Sequence, residues 1–200
     1  MPPRWLHPLL PYRSLLYPIL VLCLIVVPCW LAFRLYRHRT SGRPLSFQRE
    51  LLLLVFVAYL AGLAAATLTP NRSSRLRAAG TGGIDLQPSI ASLTCSSATL
   101  PTGSRDRAFC ARNARGNVLL FVPLGFLLPL VWRRLRLGKA LQIAIAVSLS
   151  IELLQWLSSS LGSYRAVDIH DVILNVFGAC LGLAPVFLLR LRPGLRPAVG

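Results

Sequence analysis

Leu51–Asn71 reads LLLLVFVAYLAGLAAATLTPN, twenty-one residues without a charge. A helix rises about 1.5 Å per residue, so a hydrocarbon core about 30 Å thick takes roughly 20 residues to cross. This stretch has that length on its own. Working outward from it, Leu15–Phe33 is a second uncharged run, and Gly116–Trp132, Ala140–Ile151 and Val172–Leu189 are three more. The run from Ala140 reaches spanning length only if Glu152 and Gln155 are counted inside the membrane. Charged residues make up 14% of the 200, whereas a soluble domain carries about 25%. The pattern predicts an all-α, polytopic membrane helix bundle of about five transmembrane helices.

The first run is longer than the roughly 7–15 apolar residues of a signal peptide. It is followed by Arg34, Arg37, His38 and Arg39 rather than by a small-residue cleavage site, so it reads as an anchor. The formal charge of +16 does not point to nucleic acid, because the basic residues cap apolar runs. Arg34, Arg37, Arg39, Arg43 and Arg49 lie between the first and second runs. Arg133, Arg134, Arg136 and Lys139 lie between the third and fourth, and Arg190, Arg192 and Arg196 follow the fifth. Cytoplasmic loops carry the excess of basic residues, which places the N-terminus outside and the C-terminus inside. The organisation expected is a two-span region at 1–70, an extracytoplasmic loop at 71–115 and a three-span core at 116–192.

The 71–115 loop holds seven arginines against Asp85 and Asp106, although alternation places it outside. Charge counting loses force in long loops. Its Gly, Ser, Thr, Pro and Arg content predicts irregular, mobile backbone. Cys95 and Cys110 both fall in it, whereas Cys23, Cys29 and Cys180 sit within apolar runs. Two cysteines in a short extracytoplasmic loop suit a disulfide; two unpaired thiols are the alternative reading.

An ionisable group at membrane depth is costly and usually faces a bundle interior or a wet cavity. In the fourth run Ser148, Glu152, Gln155 and Ser159 fall within roughly 60° of arc on a helix. In the fifth, Asp168, Asp171, Asn175, Gly178 and Gly182 fall within roughly 80°. The glycine pair permits close helix approach, so this stripe is expected to face a neighbouring helix, with the fourth span as first candidate. Asn117, near the outer end of the third run, and Arg165, in the last outer loop, complete a charged, hydrogen-bonded cluster in the outer leaflet. The plainer reading is that the cluster locks the bundle, with Arg165 neutralising a carboxylate and Asp168 or Asp171 capping a helix. His170 lies about 100° from Asp171 and about 200° from Asp168 on a helix, so it is expected to point off the acidic face towards the surface. No metal site or cofactor is expected. There is no Walker sequence, nucleophile elbow, CxxC or HExxH, and so no catalytic residue to assign.

These residues resemble the VanZ-like membrane proteins. The likeness begins with Asn117-Val-Leu-Leu-Phe-Val-Pro123-Leu-Gly125-Phe and continues with Ser150-Ile-Glu152-Leu-Leu-Gln155. It then takes in Arg165, Asp168, Asp171, Asn175, Gly178 and Gly182, with Thr67-Leu-Thr-Pro70 and Ile84-Asp-Leu-Gln-Pro88 as weaker upstream features. Tyr164 stands where the family commonly has glycine, and the loop between Pro88 and Gly116 is longer and more basic than its pattern. The resemblance implies a small multi-pass protein of the bacterial plasma membrane, whose founding family member is associated with resistance to the glycopeptide antibiotic teicoplanin. The function expected is non-catalytic: a cell-envelope protein whose partners are membrane lipid and an amphiphilic or lipid-linked envelope ligand. An intramembrane enzyme using Glu152 or Asp171 as general acid or base, or a transporter, is the alternative.

Overall fold

The computed structural model describes residues 13–41, 46–68, 84–85, 89–95, 105–159 and 167–191. These form helices α1 (Arg13–Ser41) and α2 (Phe47–Leu68), a two-residue strand β1 (Ile84–Asp85) and a short helix α3 (Ile90–Leu93). Helices α4 (Arg105–Val131) and α5 (Leu137–Ser159), strand β2 (Val167–Asp168) and helix α6 (Ile169–Leu191) follow. Five of the helices are long and apolar enough to span a membrane, over Tyr17–Thr40, Phe47–Leu68, Arg107–Val131, Leu137–Ser158 and Ile169–Arg190. Lipid offers no hydrogen-bond partner to the backbone, and a helix satisfies its own. Among the described residues the fold is therefore all-α apart from one two-residue strand pair, and the chain divides into two units, Met1–Asn71 and Arg72–Gly200.

In the first unit α1 and α2 run antiparallel, since Arg34 meets Glu50, Cys23 meets the Ala58 carbonyl and Ile19 lies against Gly62. Arg34 grips Glu50 with a two-nitrogen fork, its Nε donating to Oε2 at 2.8 Å and Nη2 donating to Oε1. Glu50 sits in the first turn of α2, where the helix dipole favours a carboxylate.

In the second unit α4 and α6 run parallel and touch backbone to backbone. A Cβ on Gly178 would fall 2.2 Å from the Val118 carbonyl oxygen, and one on Gly182 would fall 2.0 Å from that of Val122. From the other side, a Cβ on Gly125 would lie 2.0 Å from the Ala179 carbonyl oxygen. The glycine stripe thus faces the third span and not the fourth. Its position on α6 was readable from spacing, but the partner was not, because two small residues accept any helix that offers a matching hollow. Phe121, Leu124, Leu128 and Leu183 fill the core beside this contact. Helix α5 lies antiparallel to both, packing mainly on α6 and less on α4.

Two expectations for the 71–115 stretch need correction. Helix α4 begins at Arg105, three turns before the apolar run opens at Gly116. Arg107, Arg112 and Arg115 argue against lipid but not against helix, for arginine and alanine are both strong helix formers. Residues 84–95 are also not irregular throughout. β1 pairs in parallel with β2, Ile84 opposite Val167 and Asp85 opposite Asp168. Cys95 is joined to Cys110 by a disulfide with Cα atoms 5.9 Å apart, fastening the end of α3 to the second turn of α4. Cys95 adopts a positive φ of 51°, the left-handed conformation that commonly closes a helix.

Candidate functional site

Helix α6 starts immediately after β2, so Asp168 is its N-cap and not a member of it. A capping side chain accepts a hydrogen bond from one of the first free backbone amides. Asp168 Oδ1 does so from His170 N at 2.8 Å. The same oxygen lies 2.5 Å from His170 Nδ1. On its other edge the His170 ring receives the backbone amide of Ser89 on Nε2, at 2.9 Å. A nitrogen that accepts an N–H carries no proton, so the ring is neutral and its proton sits on Nδ1, donated to Asp168.

His170 is 5% exposed, which overturns its expected surface position. The helical wheel misplaced it because Asp168 lies ahead of the helix, where 100° per residue does not apply. Both ring nitrogens are thus engaged within the protein.

One turn further on, Asp171 Oδ1 accepts from two asparagines of α4, Asn113 Nδ2 at 3.0 Å and Asn117 Nδ2 at 2.5 Å. Asn113 and Asn117 are four residues apart and so share a face of their helix. Asp171 also stands in the first turn of α6, where the dipole favours its charge. From α5, Glu152 Oε2 accepts the backbone N–H of Asp168 at 3.4 Å, a long contact. Glu152 is 4% exposed and Gln155, one turn away, 8%. Deeper in the bundle Asn175 Nδ2 donates to Ser148 Oγ at 3.0 Å, joining α6 to α5. Among the described residues no buried side-chain nitrogen or oxygen lacks a hydrogen-bond partner.

Asn117, Glu152, Gln155, Asp168, Asp171 and Asn175 thus line one end of the second unit, drawn from three helices and, for Asp168, from β2. Gly178 and Gly182 lie below them at the α4 contact. Residues 89–95 are tied to this end by the Ser89 bond to His170 and by the Cys95–Cys110 disulfide to α4, and β1 pairs with β2.

The family model for VanZ/LLP1 matches residues 14–190. The chain belongs to the VanZ/LLP1 family. No curated protein and no solved structure matches it. The VanZ/LLP1 match includes both helical units, well beyond the 117–182 stretch that carries the strongest motifs. Arg165, the cation expected beside the carboxylates, lies outside the described residues, as does Pro70.

Three participants escaped the sequence reading. Asn113 was hidden by the arginines around it, although its spacing of four from Asn117 was a usable signal. Ser89 contributes only a backbone amide, which no side-chain pattern reveals. His170 reads from helical spacing as a surface residue, yet a histidine two residues after an N-cap aspartate is placed to bond that aspartate.

Proposed function

We propose that this VanZ/LLP1 family member is a non-catalytic protein of the bacterial cell membrane, with its N-terminus outside and its C-terminus inside. Its polar cluster faces the outer leaflet. There it alters how an amphiphile, a lipid-tailed glycopeptide of the teicoplanin kind or a lipid-linked envelope precursor, engages the membrane. One observation carries this reading: Glu152, Asp168 and Asp171 are gathered with Asn113 and Asn117 at one end of the bundle, to which a disulfide-tied segment is bonded. Disulfides persist in oxidising compartments, which supports an external position for that end. Fixed carboxylates and amides supply the hydrogen-bonding groups that a hydroxyl-rich or amine-bearing headgroup requires, while the surrounding apolar helices suit its tail.

The test compares a deletion strain with its parent in two assays, susceptibility to lipid-tailed glycopeptides and lipid composition by mass spectrometry. Changed susceptibility with an unchanged lipid profile is expected. A lipid species that accumulates on deletion would instead indicate an enzyme acting on a lipid-linked substrate. Orientation is tested separately: a reporter active only in the cytoplasm should work at Gly200 and fail near Gly82, and activity at Gly82 would invert the proposed topology.

A further inference from the structure

At the opposite end of the second unit, α4 and α5 are joined by a tight turn. Leu135 N donates to the Trp132 carbonyl at 2.9 Å, and Ala140 N donates to that of Arg136 at 3.0 Å as α5 begins. The turn is clamped from α6. Arg190 donates through Nη2 to the Pro129 carbonyl at 2.7 Å and through Nη1 to that of Leu135 at 3.2 Å. Five residues thus separate two membrane-length helices, held rigidly against the end of a third.

Arg133, Arg134 and Arg136 in this turn, and Lys139 in the first turn of α5, are all exposed. None of the four makes a side-chain hydrogen bond or ion pair among the described residues, unlike Arg34, which is held by Glu50, and Arg190, which is held by carbonyls. Four cations without internal partners therefore sit within seven residues at a depth set by the ends of two spans. Trp132, half exposed beside them, is the residue type that settles at the headgroup level. Guanidinium groups take phosphate oxygens two at a time, and basic clusters flanking membrane helices hold anionic headgroups.

We propose that the α4–α5 turn is a binding site for a phosphate ester, supplied by the headgroup of an anionic phospholipid. The lipid's phosphate sits among Arg133, Arg134, Arg136 and Lys139, and its acyl chains run along the exposed apolar surface of α5. This site is separate from the carboxylate cluster and does not depend on the function proposed for it.

The experiment titrates dioleoyl phosphatidylglycerol or dioleoyl phosphatidylcholine into the full chain in detergent micelles and counts bound lipids by native mass spectrometry. Saturable retention of phosphatidylglycerol over phosphatidylcholine is expected. The double variant R133Q/R134Q should bind it roughly thirtyfold more weakly, each surface cation contributing about a factor of five to six. The control R37Q/R39Q removes two exposed cations from α1 and should bind as the parent does. Because neutralising a loop can disturb insertion, R133K/R134K keeps the charge while removing the fork, and should still weaken binding severalfold. Equal retention of the two lipids, or equal loss in the α1 control, would overturn the proposal. Displacement of the lipid by millimolar inorganic phosphate would reassign the site to a soluble phosphate and likewise overturn the lipid assignment.

Discussion

Ser89 and His170, 81 residues apart, are joined by a single hydrogen bond from a backbone amide to an imidazole nitrogen. It ties the segment after β1 to the first turn of α6 and holds the imidazole in one tautomer. Replacing His170 with phenylalanine keeps the ring and removes both nitrogens. The Ser89 amide then loses its imidazole acceptor, a loss of about 1–3 kcal/mol where such a group is left unsatisfied, while Asp168 Oδ1 loses one of two donors and keeps the backbone amide of residue 170. Hydrogen exchange at residues 89–95 should accelerate, while α5 and the lower half of α6 stay protected. Unchanged exchange in that segment would mean that the strand pair and the disulfide hold it unaided.

The glycine contacts predict effects of opposite sign within one helix bundle. Gly178→Ala and Gly182→Ala would each place a Cβ 2.2 Å or less from a carbonyl of α4, so the helices must move apart. Overpacking of this kind costs roughly 1–3 kcal/mol, measurable as earlier unfolding in micelles. Gly116→Ala is the contrast, for nothing lies within 4 Å of its Cβ position. It should stabilise α4 by roughly 0.5–1 kcal/mol through helix propensity alone.

Thiol chemistry tests the tie between α3 and α4. An impermeant maleimide should leave Cys95 and Cys110 unmodified in intact membranes and label both after mild reduction. Labelling without reductant would show that the bond does not form in the cell.

The carboxylates allow structure and function to be separated. Glu152→Gln and Asp171→Asn preserve shape and keep an oxygen able to accept from Asp168 or from the asparagines. A structural role predicts that drug-susceptibility phenotype and membrane abundance fall together. The proposed function predicts at least one variant at normal abundance with the phenotype lost. If abundance tracks phenotype in every variant, the cluster is a fastening and the proposed site is withdrawn.

Much of this architecture was open to reading in the chain. Run length and charge placement located all five long helices, because membrane thickness is an external ruler. Periodicity put Glu152 and Gln155 on one face of α5, and Asp171 and Asn175 on one face of α6. It failed wherever the backbone left helical geometry, so Asp168 was assigned to a wheel it does not belong to and His170 was turned outward. It failed again where charge masked a helix, which hid the first three turns of α4 and Asn113 with them. The partner of Gly178 and Gly182 was misread for a different reason: glycine records that something comes close, but not what.

The pairing of β1 with β2 also bears on the order in which this protein is made. Synthesis runs from the N-terminus, so Cys95 and Cys110 both exist before α5 is complete. Their bond closes a loop with a sequence separation of only 15. Strand β1 must wait for residues 167–168, with two spanning helices translated in between. Until they arrive its backbone edge stands open. The β1–β2 pair therefore cannot close before Val167 and Asp168 have been made, and a nascent chain stopped short of α6 would lack the partner of β1.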